Sequence, residues 1–303
     1  VAVKRNFLKV LWYVAALIVV YGQTGAVYGQ TPAAPRSLIA AYGSNLAGGL
    51  TLTDTVPLSV PTVDPAGVVN GASFQPGVVP GSWLTITGSG LSGTVASDTW
   101  DKAIVNGNLP TSLDGVSVTV GSQPAFVYFI SPKQINVQAP NVGTGPVPVT
   151  VTTPGGTSVS VTANVLAQSP AFFLWPSNQA VATRNADASL AAKNGTFPGA
   201  TTVAAKPGDV LILWGTGFGP TTPPVAAGIQ VPTDGRQYNA SPVTVTIGTT
   251  AAQVFGTALA PSFAGLYQVA IQVPAGMADG DYALKATVNG ATSPDGVILS
   301  IKN

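Results

Sequence analysis

Cysteine, histidine and glutamate are all missing from this 303-residue chain. Without cysteine no disulfide can form, so packed cores alone must hold the fold, even in a compartment that permits disulfides. Without histidine or cysteine, neither a Ser–His nor a Cys–His nucleophilic pair can be assembled, and no S-x-x-K occurs in a helical setting to supply a Ser–Lys pair. Charge is scarce as well. Aspartate supplies all 11 acidic residues against 12 lysines and arginines, and charged residues are 8% of the chain, where an average soluble protein has roughly 25%. Beyond residue 29 lysines and arginines stand singly, which excludes a basic surface for nucleic acid.

What is abundant is apolar, small or turn-forming. Hydrophobic residues make up 46% of the chain, with 35 glycines and 26 prolines. Frequent Val and Thr between Gly and Pro turns describe short strands, not disorder. The stretch P-G-S-W-L-T-I-T-G-S-G from Pro80 returns as P-G-D-V-L-I-L-W-G-T-G from Pro207, an offset of 207 − 80 = 127. Val116–Gly121 returns at that offset as Val243–Gly248. After a slip of seven residues, the stretch ending Gln138-Ala-Pro140 returns as that ending Gln272-Val-Pro274, 134 residues on, and Gly156 is matched with Gly290 at the same offset. A partial third copy, Pro35 to Gly48, matches Pro80 to Gly93 with six identities in fourteen positions.

The first residues read as an export signal. Lys4, Arg5 and Lys9 form a basic head, Val10 to Val20 is an uninterrupted apolar run, and Val27-Tyr-Gly29 fits a small-x-small cleavage site. A retained membrane anchor is the alternative, against which the apolar run from Phe7 to Tyr21 is shorter than the roughly 20 residues of a span. Cleavage after residue 29 leaves nine basic residues against 11 aspartates, a net charge of −2, and no membrane segment in the mature form.

The pattern predicts an all-β chain of tandem immunoglobulin-like sandwiches: a signal over 1–29, an orphan strand with a Pro-rich linker over 30–67, module one over 68–167 and module two over 168–303. Strands are expected at Trp83–Thr87, Val116–Val120, Ala125–Ile130, Ile135–Gln138, Val147–Thr152 and Val159–Val165. Module two repeats them at Val210–Trp214, Val243–Ile247, Ala252–Phe255, Tyr267–Gln272, Tyr282–Val288 and Val297–Ile301.

The order N-G-A-S-F, P-G-S-x-L-x-I-x-G-x-G-L, L-P-T-S-L-D-G-V-S-V-T-V, I-S-P-x-Q-I-N-V-Q-A-P and V-x-V-T-x-P-G-G-x-S resembles an uncharacterised C-terminal domain of large secreted proteins of Acidobacteria, related to IPT/TIG immunoglobulin-like folds. The resemblance covers residues 68–303. It implies a secreted β-sandwich and supplies no catalytic residue, cofactor or ligand to transfer.

Few residues offer chemistry. Asp98/Asp101 and Asp279/Asp281 are the close carboxylate pairs. Each offers two hard oxygens to a cation that wants six to eight, so turn capping is the simpler use, and no cofactor or metal is assigned. As an acid/base pair for glycoside hydrolysis they lie in turn-rich sequence that satisfies its own backbone. Most aromatics fall within strand runs and belong to the core. Trp100 lies in a polar stretch beside Asp98, Asp101 and Lys102 and is the candidate glycan contact. Ala171-Phe-Phe-Leu-Trp-Pro176 falls between the modules and is read as filler that fixes their orientation. In the orphan copy, Ser37, Leu38, Ile39, Tyr42 and Leu46 would form a strand with an unburied apolar face. It can dock on its own chain, pair with the open edge of a second copy to build a homopolymer, or remain disordered. The reading is thus a secreted or cell-surface non-enzymatic structural or adhesive protein whose partners are itself or matrix components; a carbohydrate-binding sandwich with a polysaccharide partner is the alternative.

Overall fold

Alternating Val and Thr make the strands of both halves, because β-branched residues fit a pleated surface and period two places valines inward. Val116–Val120 buries Val116, Val118 and Val120, and Val243–Ile247 does the same with Val243, Val245 and Ile247. In this computed structural model, residues 58–303 are described, apart from 198 and 200. The signal expected over 1–29 and the orphan strand expected over 35–48 lie outside the described residues.

The first sandwich is built from β1 (Thr62–Asn70), β2 (Trp83–Ser89), β3 (Val116–Val120), β4 (Phe126–Ile130), β5 (Gln134–Gln138), β6 (Gly145–Thr153) and β7 (Val161–Val165). One sheet runs β1-β2-β5-β4 and ends on the short strand Asp98–Thr99. The facing sheet has β6 at its centre, paired with β3, β7 and the short strand Gly156–Thr157. Between the sheets lie Leu84, Ile86, Val118, Ile135, Val137 and Val151, all fully or nearly fully buried.

The second sandwich contains β8 (Val210–Thr216), β9 (Val243–Ile247), β10 (Thr250–Leu259), β11 (Tyr267–Gln272), β12 (Gly280–Val288) and β13 (Ile298–Ile301). Here β10 pairs with β9 at its start and with β11 over the rest, so one strand serves both sheets. Arg184, next to β8, ion-pairs with Asp209 at 3.0 Å and donates to the carbonyls of Leu190 and Ala204, pinning the excursion over 185–204.

The two sandwiches repeat in register. Leu84 faces Val137 and Ile86 faces Ile135; Leu211 faces Ile271 and Leu213 faces Val269. These pairs are related by the offsets 127 and 134. Both sandwiches also carry a β-bulge at one position, with Tyr128 as the extra residue in β4 and Phe255 in β10, again 127 apart.

Two sequence expectations are corrected. The segment 62–67, read as part of a Pro-rich linker, is the start of β1. Val63 pairs with Gly88 and Val68 with Ile86, so Asp64–Gly67 form a wide irregularity on a sheet edge. Pro65 sits inside it, where the missing N–H breaks no ladder bond. Asp64 Oδ2 accepts from Thr87 Oγ1 at 2.7 Å across the gap. The second correction concerns the last hairpin. Thr152 and Thr157 join their hydroxyls at 3.0 Å, as do Thr287 and Thr292, and Ser158 and Ser293 each accept a backbone N–H at 3.0 Å. That offset is 135, so Gly290 corresponds to Gly155 and not to Gly156. Asn289-Gly290, with φ of 46° and 84°, closes the second hairpin as an Asn-Gly turn with both residues left-handed.

Candidate functional site

Where the sandwiches meet, a third core forms from residues of both. Trp83, Trp100, Tyr128 and Phe129 come from the first, and Phe173, Trp175, Trp214, Ala264 and Leu266 from the second and its approach. Trp83, Trp100 and Tyr128 form a triangle of tilted and edge-on rings with centroids 4.8–5.3 Å apart, a favoured aromatic geometry. Burial, aided by the nearby charge of Asp101, pushes the Tyr128 phenol well above its ordinary range.

Trp100 therefore stands elsewhere than expected. It opens a short 3-10 turn (Trp100–Lys102) and is 8% exposed, its indole turned inward against Trp83 and Tyr128 while Asp98 and Asp101 face water. A polar neighbourhood in sequence reflects the outer side of that turn only. As placed, Trp100 offers no platform to a sugar.

Polar groups bridge the same contact. Trp83 Nε1 donates to the Ala264 carbonyl at 2.9 Å, and Trp83 N donates to Thr216 Oγ1 at 3.1 Å. Gln138 Nε2 donates to the Gly81 carbonyl at 2.9 Å, while its Oε1 accepts from Gly228 N at 2.8 Å. Asn70 Nδ2 donates to the Ser169 carbonyl at 2.9 Å. Gln138 ends a buried ladder on the outer face of β5, in which Asn136 Oδ1 accepts from Thr85 Oγ1 at 3.0 Å and from Gln134 Nε2 at 2.9 Å. The motif Q-I-N-V-Q thus alternates sandwich core with a satisfied polar face, as burial demands. The seven-residue slip between the repeats has a location too: it lengthens the β10–β11 hairpin, whose loop carries Ala260, Ala264 and Leu266 into the third core.

Beside this contact a groove of about 810 Å³ opens between the sandwiches, with Val79, Pro80, Phe126 and Pro140 on one wall and Pro220 and Val225 on the other. Among the described residues that line it, none is ionisable; Gln123, Asn141 and Gln168 supply amides. Such a surface can hold a neutral ligand and has no group to move a proton.

The remaining predicted residues are engaged locally. Asp98 Oδ1 accepts from Thr99 N and Asp101 Oδ2 from Thr99 Oγ1. Asp279 Oδ1 accepts from the backbone and side-chain amides of Asn303, and Asp281 pairs with Lys193 at 2.9 Å and accepts from Ser300. Neither pair converges with another carboxylate, and no group of three or more metal-ligating side chains occurs among the described residues. The Ser189 hydroxyl beside Asp187, the Arg236 N–H beside Asp234, the Asn303 N–H beside Asp279 and the Ser300 hydroxyl beside Asp281 hold these carboxyls below the ordinary carboxylate range. Their contribution to stability is complete above the unfolded value near pH 4 and is lost as pH falls through the lowered folded values. Tyr128 and Tyr267, raised by burial, act in the opposite sense: their contribution is complete below about pH 10 and is lost as pH rises beyond it. Thermal melts across pH should show a stability plateau between those two limits, with a fall on either side.

Residues 72–166 match the IPT/TIG domain family model. No curated protein matches the chain. Among solved structures, domains 5–6 of the S-layer protein SbsC are 15% identical, with 81% of this chain and 98% of that one covered and a TM-score of 0.25. The Bacteroides ovatus mixed-linkage glucan locus protein SGBP-B, in complex with a heptasaccharide, is 11% identical over 74% of this chain and 43% of that one, TM-score 0.30. The γ-CGTase of alkalophilic Bacillus clarkii is 15% identical over 78% of this chain, TM-score 0.25, and the chain spans 24% of its length. No helix of the described residues is long and apolar enough to cross a membrane.

Proposed function

We propose that this chain is a secreted or cell-surface structural protein, without enzymatic activity, whose two sandwiches act as one rigid element in contacts with itself or with matrix components. The observation that carries this reading is the shared third core. Domain pairs joined only by a linker move freely, whereas a large apolar contact holds them at one angle. Rotation about residues 166–170 would expose Trp83, Trp100 and Phe173 to water, so the angle is built in. Export follows from the reading of residues 1–29 and from the resemblance to secreted proteins of Acidobacteria. Turnover of a glycan, ester or peptide by the purified chain, abolished by changing a named Asp or Ser, would overturn the non-enzymatic reading.

The finer proposal is assembly by strand exchange through residues 35–48, with Leu38 or Ile39 turned inward. A receiving edge is at hand: Val60 and Val159 stand 57% and 88% exposed beside β1 and β7, and edge strands accept an added strand through free backbone groups. Deleting residues 30–50 is expected to abolish polymers in sedimentation and negative-stain microscopy while leaving a folded monomer. Polymers that persist without the segment would rule the exchange out.

Polysaccharide binding is the second reading. Its seat moves from Trp100 to the inter-sandwich groove, where the amides of Gln123, Asn141 and Gln168 flank Phe126; a glycan array decides between the two readings.

A further inference from the structure

The internal repeat places on the second sandwich a copy of the surface that the second sandwich itself covers on the first. On the first, the Pro80–Gly81 corner, Gln138 and the bulge residue Tyr128 lie on the outer sheet face. The loops of the second sandwich close over them: Gly228 N reaches Gln138, and the 260–266 loop reaches Trp83. At the repeat offsets the same positions are Pro207–Gly208, Gln272 and Phe255. The local wiring is also repeated, since Gln272 Nε2 donates to the Gly208 carbonyl at 3.2 Å as Gln138 does to Gly81. What differs is cover. Tyr128 is buried and Phe255 is 54% exposed. Next to Gly208 a hollow of about 260 Å³, lined by Gln253, Gln272 and Pro274, repeats the first-sandwich wall of the larger groove.

We propose that this face of the second sandwich is a docking surface for the first sandwich of a second copy of the chain. Two observations select that occupant. The equivalent face inside the chain is filled by a sandwich of this kind, approaching with the loops next to its opening strand. The first sandwich presents a shorter version of that end: Pro132 and Lys133 stand exposed between β4 and β5, where the second has the longer 260–266 loop. The contact is weaker than the internal one, because Trp83 and Phe126 are replaced by Val210 and Gln253, which removes two aromatic anchors. Different patches of the two copies meet, so the contact does not close on itself and continues head to tail.

The proposal rests on the self-association reading above but not on strand exchange. The absence of cysteine makes the full chain suited to cross-linking. Chains carrying Gln253→Cys and Lys133→Cys, mixed and treated with a short bismaleimide, are expected to give a mixed dimer, and neither variant alone should do so. Adding Phe255→Asp to the first should lower the mixed-dimer yield roughly tenfold or more, as expected on losing a contact aromatic. Because Phe255 lies on the surface, an unchanged melting temperature verifies the fold. No mixed dimer, efficient self-cross-linking of either variant, or a yield unaffected by Phe255→Asp would overturn the proposal. Polymers lost on deleting 30–50 but retained with Phe255→Asp would leave strand exchange standing and remove this contact.

Discussion

Replacing Trp83 with alanine is expected to lower stability by about 3–5 kcal/mol, the range for truncating a buried aromatic, and to split unfolding into two transitions. Trp83 is 3% exposed and bonds directly to the second sandwich. Its ring packs on Trp100 and Tyr128, and its Nε1 is the partner of the Ala264 carbonyl. Truncation removes these contacts and leaves that carbonyl unpaired. The sandwich cores themselves, centred on Leu84 with Ile135 and on Leu211 with Val269, do not contain the ring and should fold as before. Denaturant unfolding followed by tryptophan fluorescence and by circular dichroism checks this: coincident curves for the wild type and separated curves for Trp83→Ala. A variant that still unfolds in one step would show that the third core does not couple the halves.

Gly217→Ala is expected to cost about 2–5 kcal/mol, combining left-handed backbone strain with overpacking. Gly217 has φ of 80°, and a Cβ there would lie 2.1 Å from the Ser169 carbonyl oxygen. That oxygen belongs to backbone held on two sides. Ser169 N donates to the Gly217 carbonyl at 2.9 Å, and its own carbonyl accepts from Asn70 Nδ2. No side chain can swing away to make room, so the backbone around Ser169 would have to retreat from Gly217. A fall in the urea midpoint with an unchanged denaturant slope is the expected signature; a loss of less than about 1 kcal/mol would mean that the junction yields easily.

Much of this architecture is legible in the amino-acid sequence, for a physical reason. Strand pairing has period two, so a repeat that preserves inward residues also preserves register. The offsets 127 and 134 therefore anticipated which residues face one another in β2–β5 and β8–β11. The glycine match puts the hairpin out of register by one because Thr-Pro-Gly-Gly-Thr and Val-Asn-Gly-Ala-Thr close their turns with different backbone conformations, and a shared glycine is a poor marker of equivalence there. Residues 62–67 read as linker because proline-rich sequence looks alike in a linker and in an edge-strand bulge. The burial of Trp100 is hidden in the sequence because neighbours along the chain report one side of a turn, while its partners Trp83 and Tyr128 are distant in the chain. The groove between the sandwiches was not legible at all. Its walls come from five separate stretches, each made of ordinary turn residues, and only the docking brings them together.

The fixed angle between the sandwiches has a mechanical consequence. Tension applied along the chain would not be carried by residues 166–170 as by a tether, because Ser169 is bonded to Gly217 and Leu166 to Val78. Load would pass across the third core, which has to shear before either sandwich is stretched separately. A pulled molecule would accordingly resist as a short stiff strut and then yield at that junction first, lengthening by a small step before the larger extensions of the unfolding sandwiches.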